Sequence, residues 1–218
     1  AGLYDVVFTN ERRAVDDFRQ YNPASYYLPH AYNPAVHQPG PPDPEKASDV
    51  FFVGTGFDER KALFNGVDWT DINFRLLGYG WNGFEADTLN PAGVTDNADT
   101  ARYYHSASIC LNQHRTTTTW GSGAHIAAGA AESIGPRAYE IAACGAFQLC
   151  DDSRPEIGEV FGDAAATYRA GDSADLGRQI RWWLTHPDAR ADWQAAQHAA
   201  VQPHTWAMRA ADILTTLI

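Results

Sequence analysis

Glu132 and Glu140 are separated by seven residues across a Gly135-Pro136 break, and the apolar run Ile141-Ala142-Ala143-Cys144-Gly145 follows. Proline is barred from a helix interior but suits its first turn, and glycine suits the residue just past its end. The spacing predicts a short helix from Pro136 toward Gly145, with Glu140 inside it and Glu132 on the loop that feeds it. A helix start offers unpaired N–H groups and the positive end of the helix dipole, a natural seat for phosphate. Two carboxylates beside such a seat can accept hydrogen bonds from sugar hydroxyls while a diphosphate lies on the main-chain donors. The plainer reading of Glu140 is an exposed helix residue, and of Glu132 a solvated loop residue.

Cations suited to a phosphate lie elsewhere in the chain. Arg60 and Lys61 follow the turn Gly54-Thr55-Gly56, and Lys61 is one of only two lysines, with Lys46. Gly-x-Gly alone is weak evidence, and it lacks the third glycine of a dinucleotide fingerprint. An ordinary surface helix face is the alternative for Arg60 and Lys61. Arg115 and Arg137 are further phosphate candidates, whereas His114 reads as a satisfied core histidine. The stretch from Arg115 to Ala131 is polar, Gly-rich and devoid of carboxylates; it reads as a mobile loop over the site or as a plain flexible insertion. No metal site is predicted. Asp151-Asp152 is adjacent rather than spaced as Asp-x-Asp, and the eight histidines form no ligand pattern. Cys110, Cys144 and Cys150 show no Cys-x-x-Cys spacing and read as buried structural thiols.

The elements that must position these groups alternate along the chain. Tyr4–Thr9 reads as a strand, residues 11–20 as a helix and Tyr26–Pro29 as a short strand. Seven of the twelve prolines fall between residues 23 and 44, so 33–47 reads as a linker. Residues 1–32 are too short to fold alone. From Asp49 onward, strands at 49–53, 72–78, 109–112, 146–150 and 165–168 alternate with helices at 58–66, 97–107 and around Glu140. Such alternation predicts a Rossmann-like, doubly wound α/β domain over residues 48–218, a parallel sheet with helices on both faces. Asn97 and Ser173 are the expected caps of their helices. Three C-terminal helices follow. Leu176, Ile180, Trp183 and Leu184 form one apolar face, and Trp206, Ala210, Ile213, Leu214 and Leu217 another; both read as core packing.

At 218 residues and 44% apolar content the chain can bury one large core, or a core plus a partial second one. The net charge of −11 disfavours a phosphate-backbone partner, whose affinity needs clustered Lys and Arg. No run approaches the 18 apolar residues of a membrane span, and no signal peptide opens the chain. With three unpatterned cysteines, a reducing, cytoplasmic setting is expected.

Taken together these segments resemble the C-terminal half of a GT-B glycosyltransferase, in the spore-maturation (CgeB-like) branch of the retaining, family-4-like enzymes. Tyr4-Asp5-Val6-Val7-Phe8-Thr9-Asn10-Glu11 with Leu28-Pro29-His30-Ala31 resembles the last strand–helix–strand of the N-terminal domain. Phe51–Gly56 with Glu59-Arg60 resembles the first turn of the donor domain, and Leu111-Asn112-Gln113-His114-Arg115 a conserved strand end. Pro136 to Leu149, with the preceding Glu132, is the most specific segment.

The resemblance implies a transferase moving sugar from a nucleoside-diphosphate sugar, with retention and without cofactor or metal. Glu140 is then expected at the donor ribose, Glu132 at the transferred sugar, and Arg60 and Lys61 at the leaving diphosphate. Gly54, Gly56, Arg115, Gly135 and Arg137 are expected to complete the donor site. The acceptor stays open among protein, polysaccharide, small molecule and modified DNA. The resemblance also implies a larger N-terminal, acceptor-binding half, either missing from a fragment or supplied by a partner subunit. Two alternatives are a non-catalytic nucleotide-sugar-binding module and a sugar-nucleotide epimerase. A Rossmann dehydrogenase is disfavoured because no acidic residue clearly ends the second strand.

Overall fold

The computed structural model describes residues 2–82, 84, 87–89, 96–115 and 131–217. Of the loop expected over the site, Arg115 to Ala131, residues 116–130 lie outside the described residues. The chain opens with β1 (Val7–Thr9), α1 (Ala14–Arg19) and β2 (Ser25–Tyr27), the two strands pairing in parallel. Residues 33–47 then run along the next unit, held by Arg102 Nη2 to Asp43 at 2.6 Å and His105 Nε2 to the Gln38 carbonyl at 2.8 Å.

The main sheet is built from β3 (Ser48–Val53), β4 (Phe74–Leu77), β5 (Asp87–Leu89), β6 (Ala107–Asn112), β7 (Gln148–Asp151) and β8 (Thr167–Tyr168). All neighbours are parallel, in the order β5-β4-β3-β6-β7-β8. Numbered from the first strand of this unit the order is 3-2-1-4-5-6, the doubly wound pattern, and it reverses between β3 and β6.

Side-chain alternation explains why the sheet must be covered twice. Val50, Phe52, Ile109 and Leu111 face one core, shared with α2 (Asp58–Asn65) and α6 (Ser173–Thr185); Phe51 and Cys110 face another, shared with α3 (Asn97–Ser106) and α4 (Pro136–Ala143). Each strand is apolar on both faces, as parallel strands between helices must be. A third core joins α4 to α5 (Glu156–Phe161) and α7 (Pro187–Val201). All three cysteines are free and buried.

Several expectations change in detail. The caps are one residue earlier than the sequence suggests: Asp96 accepts from Asp99 N at 2.7 Å and Asp172 from Asp175 N at 2.9 Å, in place of Asn97 and Ser173. Neither β5 nor α5 was expected. The apolar face of the last helix, α8 (Trp206–Leu217), is not core: Trp206, Leu214 and Leu217 are about half exposed, and Arg209 is the buried residue. Arg209 reaches the carbonyls of Pro29 and His30 at 3.1 and 3.3 Å. A polar clamp thus ties α8 to the N-terminal unit where hydrophobic packing was expected. No helix among the described residues is long and apolar enough to cross a membrane.

Candidate functional site

A cavity of about 340 Å³ opens at the C-terminal ends of β3 and β6, where the strand order reverses. That is the position at which open α/β sheets bind ligands, because the two strands' loops diverge there. Val53 ends β3 on one side; Asn112, Gln113, His114 and Arg115 leave β6 on the other; Gly135, Pro136, Arg137 and Glu140 of the α4 entry face them. Arg60 of α2 and Asn97, Thr100 and Tyr104 of α3 complete the lining.

Three guanidiniums converge here. Arg60 is 4% exposed and donates to the carbonyls of Thr55 at 3.0 Å and Gln113 at 2.9 Å, while its Nε has no hydrogen-bond partner. Burial, then repulsion from Arg137 and Arg115, pulls the Arg60 guanidinium down to about 9, so it stays charged at neutral pH. Arg137 lies over Phe52 at 5.2 Å and Arg115 over Phe57 at 4.4 Å. Arg137 occupies the first turn of α4, which holds no acidic residue and no side-chain cap. A cation at that end of a helix opposes the dipole unless an anion lies between them.

Gly54 explains how two of these cations come close. A Cβ built there would stand 3.0 Å from Arg60 Nη1 and 3.2 Å from Arg137 Nη2, so a larger residue would fill the space between them. Among the described residues, Glu140 is the one carboxylate lining the cavity. Burial pushes it above the ordinary carboxylate range against the pull of Arg137. The wall behind it carries further orphan atoms: Gln113 Oε1 and His114 Nε2 are buried without a partner. Unpaired buried polar atoms are costly, and these two, with Arg60 Nε, belong to residues that line one cavity.

Of the residues expected in the site, the cavity gathers Arg60, Arg115, Gly135, Arg137 and Glu140 along its wall, with Gly54 against two of them. Gly56, Lys61 and Glu132 are not among its lining residues. Gly56 serves packing, since a Cβ there would strike the Gly80 carbonyl oxygen at 2.6 Å. Lys61 is half-buried on α2. Glu132 is half-buried on the loop into α4, and its main-chain N–H is taken by Glu11 Oε1 at 3.0 Å.

His114 departs from the satisfied core residue the sequence suggested. Its Nδ1 lies 3.1 Å from Asp151 Oδ2, which also accepts the His114 main-chain N–H, but its Nε2 is unpartnered. Nothing local signals this pairing, because Asp151 is 37 positions away. Cys150 brings its thiol close to the same ring, 3.8 Å from Nδ1, and donor atoms of the three residues lie within 4.8 Å of one another. They do not fit a metal. Both Asp151 oxygens are engaged, by His114 and Ser153, and burial holds the Cys150 thiol well above its usual range, hence protonated.

Residues 60–215, the span carrying α2 through α8 and nearly all of the cavity, match the glycosyl transferase-like family. The chain belongs to that family. No curated protein matches it in sequence. Among solved structures, this glycosyl transferase-like chain is similar to the sucrose-phosphate synthase of Thermosynechococcus elongatus. The identity is 15% and the TM-score 0.69, over 98% of this chain and 57% of the other. It is also similar to HepE of Anabaena in complex with UDP and glucose, at 13% identity and a TM-score of 0.69, over 98% of this chain and 63% of the other. A glycosyltransferase from Rickettsia africae aligns over 97% of this chain and 62% of its own, at 11% identity and a TM-score of 0.63. These likenesses bear out the fold, a Rossmann-like domain of the GT-B type. The chain spans about three fifths of the length of the solved structures it matches.

Proposed function

We propose that the cavity binds a nucleoside-diphosphate sugar and that the chain is the donor-binding part of a retaining glycosyltransferase of the CgeB-like branch. The observation that carries this is the charge balance: three guanidiniums and one carboxylate with no hydrogen-bond partner among the described residues line one cavity at the sheet's switch point. A diphosphate answers the first, and a sugar or ribose diol the second, since an ionised carboxylate accepts from two hydroxyls. HepE, bound to UDP-glucose in a related structure, supports a nucleotide sugar as the ligand class.

In this reading Arg60, Arg115 and Arg137 bind the diphosphate and stabilise the charge it gains on leaving, a role that needs no metal. Glu140 takes the ribose hydroxyls. Glu132, on the loop feeding α4, is kept for the transferred sugar, as the family resemblance implies, and Arg60 rather than Lys61 carries the leaving-group role. The chain positions the donor, and the acceptor attacks the anomeric carbon from the face the diphosphate leaves. Acceptor binding falls to the N-terminal half of such enzymes. Three free buried thiols suit a reducing, cytoplasmic setting.

Calorimetric titration with a panel of nucleoside diphosphates and their sugars tests the reading. Saturable binding to one nucleotide, weakened at least tenfold in Glu140→Ala, is the expected result. Absence of binding across the panel would overturn it.

A further inference from the structure

His114 lines the cavity that holds Arg60, Arg115 and Arg137, and its Nε2 is buried without a partner. The ring is 8% exposed and is held from behind by Asp151, itself 2% exposed. An ionised carboxylate only accepts, so Nδ1 must carry a proton toward it, and the ring has two states left. Neutral, it presents a lone pair at Nε2; protonated, it presents an N–H. A diphosphate offers oxygen acceptors alone, so it repels the first state and hydrogen-bonds the second.

Resting on the donor-site reading above, we propose that His114 is a diphosphate-binding residue whose Nε2–H donates to a phosphate oxygen. Asp151 is its positioning residue, and the nucleotide sugar therefore binds together with a proton.

The charges around the ring explain why the proton arrives with the ligand. Asp151 on β7 favours the imidazolium. Arg60 on α2, Arg115 next in the chain and Arg137 on α4 oppose it, while Glu140 on α4 favours it across the cavity. Cys150 is a neutral thiol at 3.8 Å. Three cations and two carboxylates surround the ring, and a bound diphosphate adds negative charge that favours the imidazolium. The donated hydrogen bond also remains as negative charge builds on the departing phosphate, so it strengthens along the reaction without any proton being transferred.

The test uses UDP-glucose and the other nucleoside-diphosphate glucoses, because their diphosphate diester has no proton of its own to exchange near neutrality. Calorimetry in buffers of different ionisation enthalpy, at about pH 7.5 where a free imidazole is mostly neutral, reads the protons taken up per ligand bound. Wild type is expected to take up a substantial fraction of one proton. His114→Gln, which keeps a neutral donor, is expected to take up less while still binding, and its affinity deficit should be largest at low pH. Asp151→Asn should bind more weakly with reduced uptake. Imidazole ¹⁵N resonances of wild type supply a readout that needs no variant to fold: Nε2 should become protonated on binding.

Binding with no change at the His114 nitrogens, or with uptake equal in wild type and His114→Gln, overturns the proposal and leaves the donor site standing. No binding of any nucleotide sugar to wild type overturns both.

Discussion

Glu140 on α4 and Glu156 at the start of α5 are both withdrawn from solvent, yet they are treated in opposite ways. Glu156 is 3% exposed, and its oxygens accept from the Tyr27 hydroxyl, from Arg12 Nη2 at 3.5 Å and from Ile134 N at 2.7 Å. It locks the N-terminal unit to the loop before α4, beside Glu11, which takes the main-chain N–H groups of Glu132 and Ser133 at 3.0 and 3.4 Å. Glu140, one turn into α4, has the charge of Arg137 to offset its burial. A fold satisfies the polar groups it buries for its own sake. Glu140, Arg60 Nε and His114 Nε2 have no hydrogen-bond partner among the described residues, and what sets them apart from other unpaired buried atoms is that their residues line one cavity.

The sharpest way to break this contrast is to delete each carboxylate. Glu156→Ala leaves the Ile134 N–H buried without its partner and takes the carboxylate from the Tyr27 hydroxyl, while Arg12 keeps Glu159 at 2.7 Å; it should lower stability by about 3 kcal/mol. Glu140→Ala should change stability by less than about 1 kcal/mol, because no hydrogen bond is lost and a desolvated charge is removed. Urea denaturation midpoints at constant m-value measure both. Equal losses would mean that Glu140 has a structural role after all.

A second pair of carboxylates should respond to pH with opposite sign. Burial alone would raise Asp151, but hydrogen bonds from the His114 ring, the Ser153 hydroxyl and the His114 main chain, with the attraction of that ring when it is protonated, bring Asp151 to about 2. Its folded value lies below the ordinary ~3.9, so its contribution is present above pH ~4 and is lost as pH falls toward 2. Asp151→Asn should therefore cost roughly 2 kcal/mol at neutral pH, with the difference from wild type shrinking below pH ~4. Glu140 is raised, mainly by burial. Its charged form opposes folding, so Glu140→Gln should be the more stable protein at neutral pH and lose that advantage as acid protonates the wild-type carboxylate. Stability measured from neutral pH downward for the three proteins separates these signs.

Arg137 extends the comparison from stability to binding. It sits at the positive end of α4 with no acidic neighbour in the first turn. Arg137→Ala should leave stability unchanged, or raise it by a few tenths of a kcal/mol. The same change should weaken nucleoside-diphosphate binding about tenfold, the loss of one charge-assisted contact. Calorimetric affinity alongside a thermal melt of the variant reads both effects.

How much of this was visible in the chain itself depends on distance along the sequence. The sheet strands and the helices that cover them follow from short apolar runs and helical spacing, which are local. Gly54, Arg60, Arg137 and Glu140 were legible because glycine, proline and charge fall at positions with local meaning, and the structure draws the three side chains to one cavity around that glycine. His114 was misread because its state depends on Asp151, 37 positions later. Glu132 carries a motif signal, but its main chain is held by Glu11 from 121 positions away. The apolar stripe on α8 was legible as a stripe, but periodicity shows which face is apolar and not what covers it.

Lys61 gives the smallest expected effect and the closest control. It is adjacent to Arg60 on α2 and carries the same formal charge, so a purely electrostatic account, in which any nearby cation helps the diphosphate, assigns the two similar weight. The geometry does not. Successive residues on a helix project about 100° apart; Arg60 is buried toward the cavity with its fork on the Thr55 and Gln113 carbonyls, whereas Lys61 is half-buried and outside the cavity lining. A flexible, hydrated ammonium beyond contact distance is screened within about 8–10 Å at physiological salt. Lys61→Ala should therefore shift nucleotide affinity by no more than about twofold, and that shift should vanish as salt is raised. A tenfold loss that persists at high salt would mean that Lys61 swings into the cavity when the ligand binds, and that the contrast between satisfied and unsatisfied groups misses cations recruited from outside it.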